Sequence, residues 1–182
     1  MNRKYKILFS LLFSFSMSQD RGLIHYEKGN FNKARDYYER LQKRSPNDDK
    51  INYSLGTASY QQNDVTTASQ LWNLTKNSKN NDIASKAYYN LGNMFTENKD
   101  LESGLNMYKK AMELDPEDSD IKINYELTKR MIQEQEEQNQ KEQNQEMRLQ
   151  AEAILNALKE NQKINQKLKI SKTKVKKMVK DW

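Results

Sequence analysis

Residues 87–93 read AYYNLGN, with Gly92 in the middle of a run that is otherwise helix-forming. A glycine in a helix interior costs about 1 kcal/mol relative to alanine, so a neighbour must require the missing side chain. The Leu-Gly pair recurs at Leu55-Gly56 and, with Gly22 before it, gives three glycines 34 and 36 residues apart. Two further columns keep those offsets: Ala34, Ala68 and Gly104, and the aromatic trio Tyr38, Trp72 and Tyr108. Three columns on one period define an internal repeat, a unit that buries its apolar face only by stacking on its neighbours.

The pattern resembles the tetratricopeptide repeat, a helix-turn-helix of about 34 residues with aromatic, Leu, Gly, Ala and Pro at fixed places. The third copy carries nearly all of it in Tyr88, Leu91, Gly92, Phe95, Gly104, Tyr108, Ala111 and Pro116. The second has Leu55, Gly56, Ala68 and Trp72, but Ser59 replaces an aromatic, Thr75 an alanine, and no proline ends it. The first runs from Gly22 through Ala34, Tyr38 and Pro46. The turns KGNFNKA, QNDVTTA and ENKDLES place Asn, Asp or Gly where one helix stops and the next is capped. The expected fold is therefore an all-α helical solenoid over 20–132, with repeats at 20–48, 49–82 and 85–118 and a capping helix at 119–132. Gly92 is expected to face Gly104, and the two extra residues of the second spacing to swell the loop around NSKNND. Glu126 stands where a fourth glycine would be, which marks 119–132 as a cap and not a further pair.

The resemblance also implies a groove lined by the first helix of each pair. Projecting the repeat puts Tyr26, Lys50, Tyr53, Thr57, Tyr60, Lys86, Tyr89, Asn90, Asn93, Glu97 and Asn124 on that face. Tyrosine and asparagine suit a protein or peptide ligand, because they combine contact area with hydrogen bonds at low entropic cost. The competing reading is that about half of the tyrosines only cover the seam between helices. The lysine, asparagine and arginine set with which some chaperone-binding repeats hold a C-terminal carboxylate is not matched, since Ser54 stands in the asparagine's place.

Of the 182 residues, 35% are hydrophobic and 31% charged, which is lean for a single-core globule and suits an elongated array. The absence of cysteine removes disulfides, thiolate metal sites and a cysteine nucleophile, and a lone histidine, His25, removes a multi-histidine zinc centre. His25 falls in the inward aromatic slot of the first repeat, and the acid pairs Asp48-Asp49 and Glu136-Glu137 lie in turn or polar segments. No catalytic, metal or cofactor constellation is visible, so a non-enzymatic protein is expected.

At the N-terminus, basic MNRKYK is followed by the apolar run ILFSLLFSFSM and by small residues Ser16 and Ser18. This is the three-part pattern of a secretory signal over 1–18, cleaved after Ser18, and predicts export. The run is shorter than the roughly 18–20 residues that span a bilayer, so an uncleaved anchor is the weaker alternative. The net charge of +6 is unevenly spread: Lys159 to Trp182 contributes +7, the leader +3, and the remainder about −4. Residues 133–148 form a Gln/Glu-rich spacer, whose stretch 133–145 has no apolar residue and is either a solvated helix or a flexible link, and 149–182 an amphipathic segment with a lysine-rich tail. In the tail, Ile164, Leu168, Val175, Met178 and Val179 are interleaved with lysines, which fits an anionic membrane surface or an acidic partner better than nucleic acid.

The order of export signal, repeats, NYE-containing cap, polar spacer, ILNALKENQ segment and terminal KDW is similar to the tetratricopeptide protein of the Bacteroides-type aerotolerance operon. That resemblance implies a periplasmic, inner-membrane-associated scaffold for von Willebrand A-domain proteins, working beside a MoxR-type ATPase in tolerance to oxidative stress. The alternative is a general holdase-like chaperone or an envelope or secretion assembly factor.

Overall fold

The computed structural model describes residues 20–180, with side chains described as far as 176; the signal segment, the side chains of Met178 and Val179 and the end of the KDW motif lie outside the described residues. Seven helices and no strand occur among them: α1 (Arg21–Glu27), α2 (Phe31–Gln42), α3 (Asp49–Tyr60), α4 (Val65–Thr75), α5 (Asn81–Glu97), α6 (Leu101–Leu114) and α7 (Ser119–Lys180). The chain divides into two units, one ending at Met131 and one beginning at Ile132. In the first, α1 packs on α2, α3 on α4 and α5 on α6, and each pair packs on the next, which is the stacked arrangement of an all-α solenoid.

The three glycines are explained by their aromatic partners. A Cβ on Gly22 would lie 2.4 Å from the Tyr38 ring, one on Gly56 3.0 Å from Trp72 Nε1, and one on Gly92 2.6 Å from the Tyr108 ring. In every pair the aromatic follows its glycine by 16 residues, so the first helix of each repeat gives up a side chain for a ring on the second. The rings are all but buried, with Tyr38, Trp72 and Tyr108 at 4%, 2% and 2% exposure. The expectation that Gly92 faces Gly104 is sharpened. Gly104 sits against the Gly92 carbonyl, 3.2 Å from where its Cβ would be, while Tyr108 covers Gly92 itself.

The turns inside the pairs are alike. Gly29, Asn63 and Lys99 all have positive φ, at 71°, 61° and 66°. In each turn the next residue's N–H donates back into the first helix: Asn30 to His25 O at 2.8 Å, Asp64 to Ser59 O at 3.1 Å and Asp100 to Phe95 O at 3.0 Å. These bonds close helix ends that would otherwise leave carbonyls unpaired. Asp64 and Asp100 then cap the second helices by accepting from Thr67 N and Ser103 N.

The loop expectation around NSKNND is corrected. α5 begins eleven residues before Gly92, whereas α3 begins seven before Gly56, so the inserted residues lengthen a helix. Asn80 accepts from Asp82 N and Ile83 N, an aspartate in the first turn suits the positive helix end, and Ser85 is buried with its hydroxyl donating to Ala111 O at 3.0 Å. Of the two forms left open for residues 133–145, the chain takes the helix: α7 continues through them, and every residue from 133 to 176 is exposed.

Candidate peptide groove

The first helices α3 and α5 and the first turns of α7 bring many of the projected groove residues into contact. Between α3 and α5, Asn90 Nδ2 donates to the Tyr53 hydroxyl at 3.2 Å and the Tyr60 hydroxyl donates to Glu97. Both rungs join residues 37 apart. Between α5 and α7, Asn124 Nδ2 donates to the Tyr89 hydroxyl at 3.0 Å and to Asn93 Oδ1 at 3.1 Å. The same Asn93 oxygen accepts from the Tyr108 hydroxyl at 2.6 Å, and the Tyr89 and Tyr108 rings lie 5.9 Å apart. Asn93 therefore links the packing of α6 to the floor of the groove.

The other projected residues stand outside this ladder. Lys50 is exposed, 3.9 Å from Asp20, and Lys86 is exposed and paired with Asp82 at 2.8 Å. Thr57 bonds to its own helix at Tyr53 O, 3.0 Å away. Tyr26 is half-buried against Phe31, at a ring separation of 5.2 Å. Burial raises the Tyr53, Tyr108 and Tyr26 hydroxyls above their ordinary pKa, with Gln61 offsetting part of the rise at Tyr26. At Tyr60, burial first and then the Glu97 carboxylate push the hydroxyl up to about 12. These tyrosines stay neutral donors and acceptors over the physiological range. His25 is half-buried, and no group of three or more acids and histidines able to hold a metal ion occurs among the described residues.

Two residues of this face escaped the projection. Ile123 and Leu127 are 61% and 50% exposed, one helical turn apart on α7. Leu127 lines a hollow of about 120 Å³ together with Asn93, Thr96, Glu97, Tyr108, Asn124 and Thr128. The signal for them was present, because the offset of 34 that carries Asn90 to Asn124 also carries Tyr89 to Ile123 and Asn93 to Leu127.

Residues 20–75 and 85–118 each match a family described as the tetratricopeptide repeat. The repeats are tetratricopeptide repeats. No curated protein matches the chain. The tetratricopeptide domain of Sgt2 from Aspergillus fumigatus superposes with a TM-score of 0.58 at 21% identity, covering 64% of this chain and 78% of that one. The first such domain of Spaghetti (RPAP3), bound to the HSP90 peptide SRMEEVD, gives 0.55 at 18% identity and covers 62% and 87%. The Yersinia enterocolitica type III secretion chaperone SycD, in complex with a peptide of the translocator YopD, gives 0.52 at 12% identity and covers 71% and 95%. At these identities the likeness concerns the fold. This chain has the architecture of a protein-interaction module, with a groove face built by α3, α5 and the start of α7.

Proposed function

We propose that this tetratricopeptide protein is a non-enzymatic scaffold whose groove holds a polypeptide segment of a partner on the periplasmic side of the inner membrane. The observation that carries the reading is the face itself. Its polar floor is fixed by the Tyr53–Asn90 and Tyr89–Asn124–Asn93 contacts, and Ile123 and Leu127 lie uncovered beside it. A preorganised polar floor with an apolar anchor point binds a peptide without a large ordering cost. The peptide-bound structures of RPAP3 and SycD support a groove ligand of this kind.

The partner we name is a von Willebrand A-domain membrane protein of an aerotolerance system. Support comes from the signal-like N-terminus, the ILNALKENQ segment and the KDW motif. The lysine-rich end of α7 supplies a second attachment, to an anionic membrane surface.

The test is capture from detergent-solubilised envelopes with the wild-type chain and with Ile123→Asp/Leu127→Asp, substitutions at exposed positions. Stoichiometric recovery of a von Willebrand A-domain protein, reduced at least about tenfold by the double variant, is the expected result. A broad smear of clients favours the holdase alternative, and unchanged recovery by the variant removes the groove from the interaction.

A further inference from the structure

The unit beginning at Ile132 has a charge step along one helix. Residues 133–149 carry five glutamates against Lys141 and Arg148, a net −3, while 157–176 carry seven lysines against Glu160, a net +6. Within the basic part, Ala157, Asn161, Ile164, Leu168, Ser171 and Val175 follow one another at steps of three and four, and so share one side of the helix. At 3.6 residues per turn these six positions occupy a sector of about 80°, and none of the seven lysines from Lys159 to Lys176 falls inside it. Ile164, Leu168 and Val175 are 50%, 51% and 60% exposed.

Five kinds of cover for this stripe are distinguishable by charge and polarity. Crossing a bilayer is ruled out for the described residues, since no helix among them is long and apolar enough. In a parallel coil with a second copy, Asn161, Leu168 and Val175 would alternate with Ala157, Ile164 and Ser171 at the seam. Lys167 of one strand would then flank Lys172 of the other, with no acidic residue from 161 to 176 to answer them. An antiparallel mate drawn from the acidic half brings opposite charge but almost no apolar face, because residues 133–145 contain no apolar residue and only Met147 and Leu149 follow within it. Nucleic acid likewise answers the lysines and leaves the stripe in water. An anionic lipid surface offers negative charge and an apolar phase at adjacent depths, matching both sides of the helix.

We propose that residues 157–176 are an in-plane anchor for anionic lipid, with Ile164, Leu168 and Val175 entering the acyl boundary and the lysines lying on the headgroups. The anchor is about 30 Å long at 1.5 Å per residue. It deepens the membrane attachment given above and does not depend on what the groove holds.

The test is co-sedimentation of the full chain with vesicles of phosphatidylglycerol and phosphatidylcholine in equal parts, and with phosphatidylcholine alone. The apolar run 7–17 is present in every variant, so the neutral vesicles measure its share. Binding should need the anionic lipid, and Lys167→Gln/Lys172→Gln/Lys174→Gln should weaken it about a hundredfold. Ile164→Ser/Leu168→Ser, with every charge kept, should weaken it at least about tenfold, while recovery of the groove partner in detergent stays unchanged. Equal binding to both vesicle types overturns the proposal. So does undiminished binding by the serine variant, which would mean that any polyanion suffices, and so does a vesicle-free dimer that Leu168→Ser dissolves.

Discussion

Gly92→Ala tests the contact on which the repeat depends. In an ordinary helix interior the change stabilises by about 1 kcal/mol. Here the new Cβ would lie 2.6 Å from Tyr108 Cε1 and 2.7 Å from Cδ1, closer than such atoms approach. Tyr108 cannot step aside freely, because it is 2% exposed and its hydroxyl is held by Asn93 at 2.6 Å. Overpacking of this kind costs about 1–3 kcal/mol, and loosening the Asn93 bond adds about 1 more, so the net loss should be about 1–3 kcal/mol. In a Tyr108→Ala background the obstruction is gone, and the same Gly92→Ala change should become neutral or stabilising by up to about 1 kcal/mol. The cycle should be read from urea unfolding followed by the fluorescence of Trp72, which is buried in the second repeat. Far-UV dichroism is less suitable, since the exposed length of α7 contributes helix signal without sharing the core. Gly92→Ala stabilising the wild-type chain, or having the same effect in both backgrounds, would refute the ring-on-glycine account.

The turns and the tyrosines give two further predictions. Lys99→Gly should stabilise by up to about 1 kcal/mol by relieving a side chain held at φ 66°, whereas Gly29→Ala, at φ 71°, should destabilise by about as much; equal and opposite shifts in thermal midpoint are the readout. Tyr60, Tyr53 and Tyr108 are neutral in the folded chain with raised pKa values, so their contribution is fully present below the unfolded tyrosine value near 10 and is lost as pH rises through the folded values, for Tyr60 about 12. Stability should therefore fall between about pH 10 and 12, and Tyr60→Phe should make that fall shallower, as followed by urea midpoints across the range.

Much of this was legible in the sequence because the repeat writes the same packing problem three times. Gly22, Gly56 and Gly92 mark where a ring must pass, and the turn triplets KGN, QND and NKD mark where chain direction reverses. Periodicity does not say which polar residues of a face bind one another. The Tyr53–Asn90 and Tyr89–Asn124 contacts depend on how far adjacent pairs are offset, a tertiary quantity that no single repeat encodes. The placement of the inserted residues was missed for a local reason: NSKNND looks like loop by composition, yet Asn80 is a good cap and the residues after it find buried sites against α6. Ile123 and Leu127 stand one repeat on from Tyr89 and Asn93, beside Asn124, but as apolar residues they fall outside the tyrosine and asparagine chemistry that marks the groove face in the sequence.

At the end of the array one helix closes the core and, on the proposed reading, also serves recognition. Ile121 and Thr128 of α7 are buried, at 2% and 1% exposure, so its first turns complete the core of the third repeat. Glu126, offset by 34 from Gly92, is exposed and 4.0 Å from Lys129, and a ring packed there would have to bury that charge. The turn signal is missing too, since Gln133 stands 34 after Lys99 among Ile132 and Glu134, with no glycine, asparagine or aspartate to reverse the chain, and the helix continues. A fourth pair is thus prevented on the stacking side, while the groove side keeps two uncovered apolar residues that a further first helix would otherwise overlap. Covering the exposed half of each is worth about 1 kcal/mol or slightly more, together a factor of about thirty in affinity. On the proposed reading, the place where the solenoid stops growing therefore offers a bound segment an apolar anchor.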